Sequence, residues 1–119
     1  MRIIPLGKLD EGKLVEYSGD FLFGTVESVI AFKKENSGSS IVMDEEGVGY
    51  FMMINEGFLK GFTNIVVNPS RHYGHYKDVL KVNSFEEALS FCHKGKDVYV
   101  LGGKELFEDA LDYNLRVGR

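Results

Sequence analysis

A strand that passes through two glycines into a helix, near the end of the sequence, most constrains the fold. In the segment DVYVLGGKELFEDAL, which begins at Asp97, Val98–Leu101 have the apolar, β-branched and aromatic character of a buried strand. Gly102 and Gly103 interrupt the strand, and a helix follows whose apolar side chains share one face: Leu106, Phe107, Ala110 and Leu111. Such a turn places free backbone N–H groups and the positive end of a helix at the carboxyl edge of a sheet, which suits an anion. A Gly-Gly pair also serves any tight strand-to-helix turn, so that alternative stays open.

Strand and helix patterns alternate along the rest of the chain. Strands are predicted at residues 2–6, Lys8–Tyr17 (as an extended arm after a turn), Ile41–Met43, Asn64–Asn68 and Val79–Val82, with LRVGR (115–119) as the start of another. One helix is predicted from Thr25 to Lys34, with apolar contacts from Val26, Val29, Ile30 and Phe32. Another opens at the capping box S-F-E-E, with Phe85, Ala88, Leu89 and Cys92 on one side. This alternation predicts an α/β fold, a single domain over residues 1–119 with a largely parallel central sheet flanked by helices.

Composition excludes several classes of function. The 119 residues carry a net charge of −4, which disfavours nucleic-acid and anionic-membrane partners. No apolar run has the length of a membrane span, and the single cysteine, Cys92, fits a reducing cytoplasm. His72 and His75 are three residues apart in a loop pattern that supplies no further ligand, so no metal site is predicted.

Four segments together resemble the dihydrofolate reductase family. They are GDFLFGTVESVIAFKKENSGSSIVM, LKGFTNIVVNPS, KVNSFEEALSFC and VYVLGGKELFEDAL. In that family such segments form the active-site loop with its helix and strand, the start of a second strand, a short strand with its helix, and the turn that cradles the cofactor pyrophosphate. The resemblance runs from about Gly19 to the end of the sequence. It implies a dihydrofolate-reductase-like fold, a folate substrate and an NADPH cofactor.

The resemblance assigns catalysis to Glu27 or Ser28. Ser28 stands four residues before Phe32, where the family has the acid that binds the pteridine and assists proton transfer. A serine supplies neither an anionic acceptor nor a suitable pKa. Glu27 points about 100° away around the helix, and either substitutes for the acid or is a first-turn carboxylate near the positive helix end. The resemblance also places Phe23, Phe32 and Phe62 beside the substrate, with Phe62 where the family has an arginine that grips the folate carboxylate.

The resemblance assigns five residues to the cofactor: Gly102, Gly103 and Lys104 at the glycine turn, and Ser70 and Arg71 after the strand at 64–68. Opposite them, Asp44–Glu46 replace the family's arginine and threonine that hold cofactor phosphates. Carboxylates repel phosphates. We therefore expect Asp44–Glu46 to lie across the cleft from the glycine turn, and NADPH to bind weakly if it binds.

Three hypotheses about function follow, and the third, a plain structural or assembly module, fits the same facts and differs only in its partner. In the first, the chain keeps the family's fold, has lost the reductase chemistry, and acts as a binding or regulatory protein for a nucleotide, a pteridine or a protein partner. In the second, it is a minimal NADPH-dependent dihydrofolate reductase in which Glu27 or another carboxylate substitutes and a second subunit completes the pocket. The family continues with further C-terminal strands after the last helix, so a dimer, a swapped strand or an exposed sheet edge is expected here.

Overall fold

A six-stranded sheet forms the centre of the structure, a computed structural model that describes residues 2–17, 25–70 and 79–117 and leaves out the side chains of residues 16, 17 and 117. The strands are β1 (Ile3–Asp10), β2 (Lys13–Tyr17), β3 (Ser40–Met43), β4 (Thr63–Val67), β5 (Val79–Val82) and β6 (Val98–Gly102). Their order across the sheet is β2-β1-β6-β3-β4-β5, and every neighbouring pair is parallel except β1 with β2. The predicted α/β fold with a largely parallel sheet is confirmed.

Helices cover both faces of this sheet. They are α1 (Val26–Asn36), α2 (Glu45–Asn55), α3 (Phe85–Ser90) and α4 (Lys104–Val117). Side chains of α1 and α2 share one apolar cluster with alternate residues of the strands, whereas those of α3 and α4 share a second cluster with the intervening residues. Val100 and Leu101, for example, are both fully buried but belong to opposite clusters. Central strands buried on both faces explain the near-continuous apolar runs in the sequence.

Local signals set the start of each of three helices. Thr25 and Ser28 form a reciprocal capping box at α1, Asp44 caps α2, and Ser84 caps α3 through the Glu87 backbone N–H. The acidic segment DEEG, for which the sequence predicts no element, is therefore the N-cap and first residues of α2. That helix begins directly at the carboxyl end of β3, which brings three carboxylates to the edge of the sheet.

Several details of the predicted elements are wrong. Val26 and Ile30, expected to contribute core contacts, are 55% and 57% exposed, and only Val29 and Phe32 of that set are buried. Leu111 is 39% exposed and Leu89 only partly buried, whereas the neighbouring Ala110 and Ala88 are fully buried against the sheet.

The ends of α3 and α4 also differ from expectation. Cys92 lies beyond the end of α3 at Ser90. The strand predicted for LRVGR is wrong over residues 115–117, where α4 continues, and residues 118 and 119 lie outside the described part. The Asn114 side-chain amide donates to the Ile3 carbonyl at 2.8 Å, which holds the last turns of α4 against β1.

Candidate functional site

An acidic cleft of about 420 Å³ lies at the carboxyl ends of β3, β4, β5 and β6. Open α/β sheets bind ligands at this edge. Six carboxyl side chains line the cleft: Asp44, Glu45, Glu46, Glu86, Glu105 and Asp109. Within the described part of the chain no lysine or arginine lines it. The cleft therefore presents a negative surface to any ligand that enters.

The Asp44 carboxylate is hydrogen-bonded to a backbone N–H of the glycine turn. Its Oδ1 accepts from the Gly47 N–H at 3.0 Å, which caps α2, and its Oδ2 accepts from the Gly103 N–H at 2.8 Å. One carboxylate thus bridges the first turn of α2 and the start of α4. The carboxylate was expected across the cleft from the glycine turn; it contacts the turn directly.

The two glycines make room for the chain's own carboxylates. A Cβ at Gly102 would lie 2.7 Å from Asp44 Oδ2 and 2.8 Å from Leu106 Cδ2. A Cβ at Gly103 would collide with Glu46 Oε2. A side chain at either glycine would therefore have to displace the Asp44 or Glu46 carboxylate, or the end of Leu106, from its present place.

Glu45 and Glu46 make similar contacts with two other segments. The Glu45 carboxylate accepts from the backbone N–H of Ser70 and, at 2.6 Å, from its hydroxyl. Glu46 reaches the β1–β2 turn, where the backbone N–H groups of Glu11 and Gly12 act to lower its pKa. Burial and the neighbouring carboxylate of Asp44 outweigh them, so the pKa of Glu46 is raised. The carboxylates of residues 44–46 are therefore held at the carboxyl edge of the sheet by hydrogen-bond donors that are mainly backbone N–H groups.

Like charges also meet on the α3 and α4 side of the cleft. The pKa of Asp109 is raised. Burial is the largest cause, and the negative charges of Glu105 and Glu86 raise it further. The ordinary response of a carboxyl group to crowded negative charge is to hold its proton more tightly. An anionic ligand entering the cleft would add to this repulsion.

The remaining cofactor residues named from the sequence contribute little to this cleft. Lys104 is exposed at the first position of α4 and does not line the cleft. Ser70 is exposed and bonded to Glu45 as described above. Arg71, with His72 and His75, lies outside the described residues.

The two residues assigned to catalysis have structural contacts. Ser28 accepts from the Thr25 N–H through Oγ at 3.0 Å, and its hydroxyl donates to the Thr25 carbonyl at 2.7 Å. Its own N–H donates to Thr25 Oγ1 at 3.1 Å, which completes the capping box. Glu27 is exposed in the first turn of α1, where a carboxylate interacts favourably with the helix dipole. These positions carry no buried acid comparable to the one that the sequence resemblance implies.

Phe32 and Phe62 lie together in an aromatic cluster. Their rings stack with centroids 5.4 Å apart, and Tyr99 meets Phe32 edge-on at 4.7 Å. The Tyr99 hydroxyl donates to Asn36 Oδ1 at 2.7 Å, so the cluster has one anchored polar end. Phe32 is fully buried and Phe62 is 7% exposed, which makes both part of the core before any ligand is considered. Phe23 lies outside the described residues.

A second cleft, the aromatic cleft, opens beside this cluster with a volume of about 700 Å³. It lies between the end of α2, the loop that leads into β4, and Lys33 of α1. Phe58 and Phe62 are its aromatic residues, Lys33 and Lys60 carry positive charge, and Glu56 carries negative charge. The volume and composition suit a small organic molecule.

Two asparagines organise the wall of the aromatic cleft. Asn55 Oδ1 accepts from Lys33 Nζ at 2.9 Å, which fixes that ammonium group at the end of α2. Asn64 donates through its amide to the carbonyls of Leu59 and Phe62 at 3.0 and 3.2 Å, while its buried Oδ1 has no hydrogen-bond partner. Sequence reasoning did not single out Lys33, Asn55 or Asn64. Their signal is weak, since a polar residue at a helix end or strand start is common on any surface.

Sequence reasoning also did not anticipate that Asp44–Glu46 bond to backbone donors. An aspartate between a buried strand and an apolar run is a usual helix N-cap, and that pattern could have placed the start of α2. The other carboxylate oxygens of Asp44–Glu46 bond to N–H groups that are distant in the sequence, and those partners are determined by the tertiary fold.

Metal and membrane functions find no support in the described segments. Over residues 2–17, 25–70 and 79–117, no group of three or more histidine, cysteine, aspartate or glutamate side chains is arranged to hold a metal ion. In the same segments, no helix has both the length and the apolar character needed to cross a bilayer.

Comparison with known proteins identifies the family. The family model for dihydrofolate reductase matches residues 9–118, which is nearly the whole chain. A search of curated proteins finds no match. The α/β sheet flanked by helices, with its glycine turn at the carboxyl edge, agrees with the family match. By fold and by sequence, this chain belongs to the dihydrofolate reductase family.

Proposed function

We propose that this protein binds a small planar ligand of the pteridine class in the aromatic cleft, and that it does not reduce this ligand with NADPH. The observation that carries the proposal is the hydrogen bond from the Gly103 N–H to Asp44 Oδ2, because Asp44 lines a cleft that five further carboxyl side chains share. An anionic cofactor would have to displace this internal carboxylate and then remain beside the others.

The residues of the acidic cleft do not fit NADPH, the cofactor that the family generally uses. A pyrophosphate with a 2′-phosphate carries several negative charges, and a site for such groups needs cations or free N–H donors. The charged side chains of the described lining are all carboxylates, its other polar side chains are Asn68, Asn83 and Ser84, and the Gly103 N–H is already bonded. We therefore assign no reaction step to NADPH in this protein.

The aromatic cleft suits a pteridine better than a nucleotide. Phe58 lines the cleft with an aromatic ring that a planar ligand can contact, and Lys33 and Lys60, beside Glu56, can meet a ligand carboxylate. A neutral ring with one or two carboxylates carries less negative charge than a dinucleotide. Retention of the fold with loss of the acid at position 28 is consistent with a protein that binds without catalysing reduction.

The competing hypothesis of a working reductase would need a proton donor near the ligand. Glu27 is exposed and the Ser28 hydroxyl is committed to the cap of α1, so neither is arranged as that donor. The described geometry therefore favours a binding role.

Ligand binding measured by calorimetry tests the proposal. Folate and dihydrofolate should bind the wild-type protein, and NADPH should bind at least about ten-fold more weakly, because its phosphates add charge to an acidic cleft. Phe58→Ala should weaken folate binding by about ten-fold through lost stacking area. Phe91→Ala removes a 49% exposed phenylalanine elsewhere and serves as the matched control, with no change expected. Tight NADPH binding, or no folate binding at millimolar concentration, would contradict the proposal.

A further inference from the structure

We propose that Asp44, Glu45 and Glu46 form an intramolecular latch, an autoinhibitory contact that closes the carboxyl edge of the sheet by occupying donors that an external anion would use. The latch does not depend on which ligand enters the aromatic cleft. It rests on contacts between consecutive carboxylates and separate segments of the chain.

Each carboxylate of the latch contacts a different segment. Asp44 bonds to the Gly103 N–H where β6 leads into α4, and Glu45 bonds to Ser70 after β4. Glu46 faces the backbone N–H groups of the β1–β2 turn. These segments are far apart in sequence, so the latch joins loops that follow three different strands.

Asp44 is able to act in two places because its two oxygens have separate partners. Oδ1 caps α2 through Gly47, whereas Oδ2 holds the Gly103 N–H. Glu46 lies over Gly103, on the space that a side chain there would fill. An anion that approaches the start of α4 finds the Gly103 N–H already bonded to Asp44 and the space beside Gly103 occupied by the Glu46 carboxylate.

An asparagine at position 44 separates the latch from the helix cap. Asparagine caps helices about as well as aspartate, so its single oxygen can keep the Gly47 contact. The amide that replaces Oδ2 is a donor and cannot accept from the Gly103 N–H. Asp44→Asn combined with Glu46→Gln therefore opens the latch with little change in side-chain volume.

The matched control removes the same amount of charge from the same cleft but leaves the latch intact. Glu105→Gln combined with Asp109→Asn neutralises two lining carboxylates that make none of these contacts. If only the total charge matters, both double variants will gain affinity for an anion equally. If the latch matters, the variant that frees the donors will gain more.

Titration with inorganic pyrophosphate, followed by the amide resonance of Gly103, tests the latch. We expect the Asp44→Asn/Glu46→Gln variant to bind pyrophosphate at least about ten-fold more tightly than the control variant, because a freed N–H donates to a charged acceptor. The wild-type protein should show no shift of the Gly103 resonance. Equal affinity in the two double variants, or wild-type binding as tight as that of the opened variant, would overturn the proposal.

Amide hydrogen exchange on the single variant Asp44→Asn gives an independent measurement if the double variant folds poorly. Exchange at Gly103 should accelerate by about ten-fold or more, because its N–H loses its acceptor. Exchange at Gly47 should stay within about two-fold, since the cap is kept. Unchanged exchange at Gly103 would overturn the latch.

Discussion

At the scale of single residues, the positions that the sequence resemblance assigns to ligands make contacts within the protein. Ser28, where the family has an acid, completes the cap of α1. Asp44 bonds to the glycine turn that the family uses for the cofactor. Phe62, in place of an arginine, stacks on Phe32. The charge inversion could be recognised from the sequence, but its hydrogen-bond partners could not, because they come from segments distant in the chain.

Asp109 offers a test of the crowded charge in the acidic cleft. Its pKa is raised in the folded protein, so the folded state binds a proton more tightly than the unfolded state does. This carboxylate therefore costs stability as the pH rises through the interval between its ordinary and its raised pKa. Asp109→Asn should be more stable than the wild type at pH 7, by less than about 1 kcal/mol because solvent screens the site. The gain should vanish below the ordinary aspartate pKa.

Thermal unfolding between pH 3 and pH 7 checks this expectation, with Asp97→Asn as a control of opposite sign. The Arg2 guanidinium holds the pKa of Asp97 below its usual range through two hydrogen bonds. The contribution of Asp97 is therefore present above its ordinary pKa and lost as the pH falls through its lowered value. Asp97→Asn should lower the melting temperature slightly at pH 7. If Asp109→Asn lowers the melting temperature at pH 7, the prediction is wrong, because the negative charge of Asp109 would then stabilise the folded protein.

At the scale of elements, strands were predicted better than helix faces. The inner strands at 41–43, 64–67 and 98–101 are where the apolar runs placed them. Central strands bury both faces, so most residues in them are apolar and the prediction does not depend on which face points to the core. The buried face of α1 was predicted too broadly, since Val26 and Ile30 are exposed. Apolar residues on a short helix do not specify how wide the contact with the sheet will be. The whole of α2 was missed, because its acidic first residues were interpreted only as charge and residues 50–60 have a mixed aromatic, methionine and glycine pattern.

Helix α2 contains two glycines that provide a matched pair of substitutions. A Cβ at Gly47 would lie 2.8 Å from the Met43 Cβ and would collide with the Leu101 carbonyl, whereas a Cβ at Gly49 would meet nothing within 4 Å. Gly47→Ala should therefore destabilise the protein by about 1–3 kcal/mol, because the helix must move away from the sheet. Gly49→Ala should stabilise it by up to about 1 kcal/mol through helix propensity.

Urea unfolding of the two alanine variants measures both effects under the same conditions. Since the two substitutions are chemically identical, the difference between them reports the close approach of α2 to β6. Equal free energies of unfolding in the two variants would mean that α2 does not pack against the Leu101 carbonyl as described.

At the scale of the whole molecule, the two clefts lie at opposite ends of the parallel strands and differ in their charged side chains. The carboxyl edge holds the acidic cleft, and the aromatic cleft, with its two lysines, lies where the chain enters β4. The family and the α/β fold could be predicted from local sequence patterns, since strand, turn and helix signals are short-range. The aromatic cleft could not, because Lys33, Asn55 and Asn64 come together only in the tertiary structure.

The most direct test of the account is dihydrofolate reduction by the purified wild-type protein, followed by the loss of NADPH absorbance. Enzymes commonly turn over at about 1–10³ s⁻¹, and loss of a positioned acid lowers a rate by about 10²–10⁴. With the acid absent and the cofactor edge occupied by Asp44, we predict no turnover above the background rate of the buffer. Ser28→Ala, which carries no acid either, should behave like the wild type. Steady NADPH-dependent turnover at an ordinary enzyme rate would contradict the account.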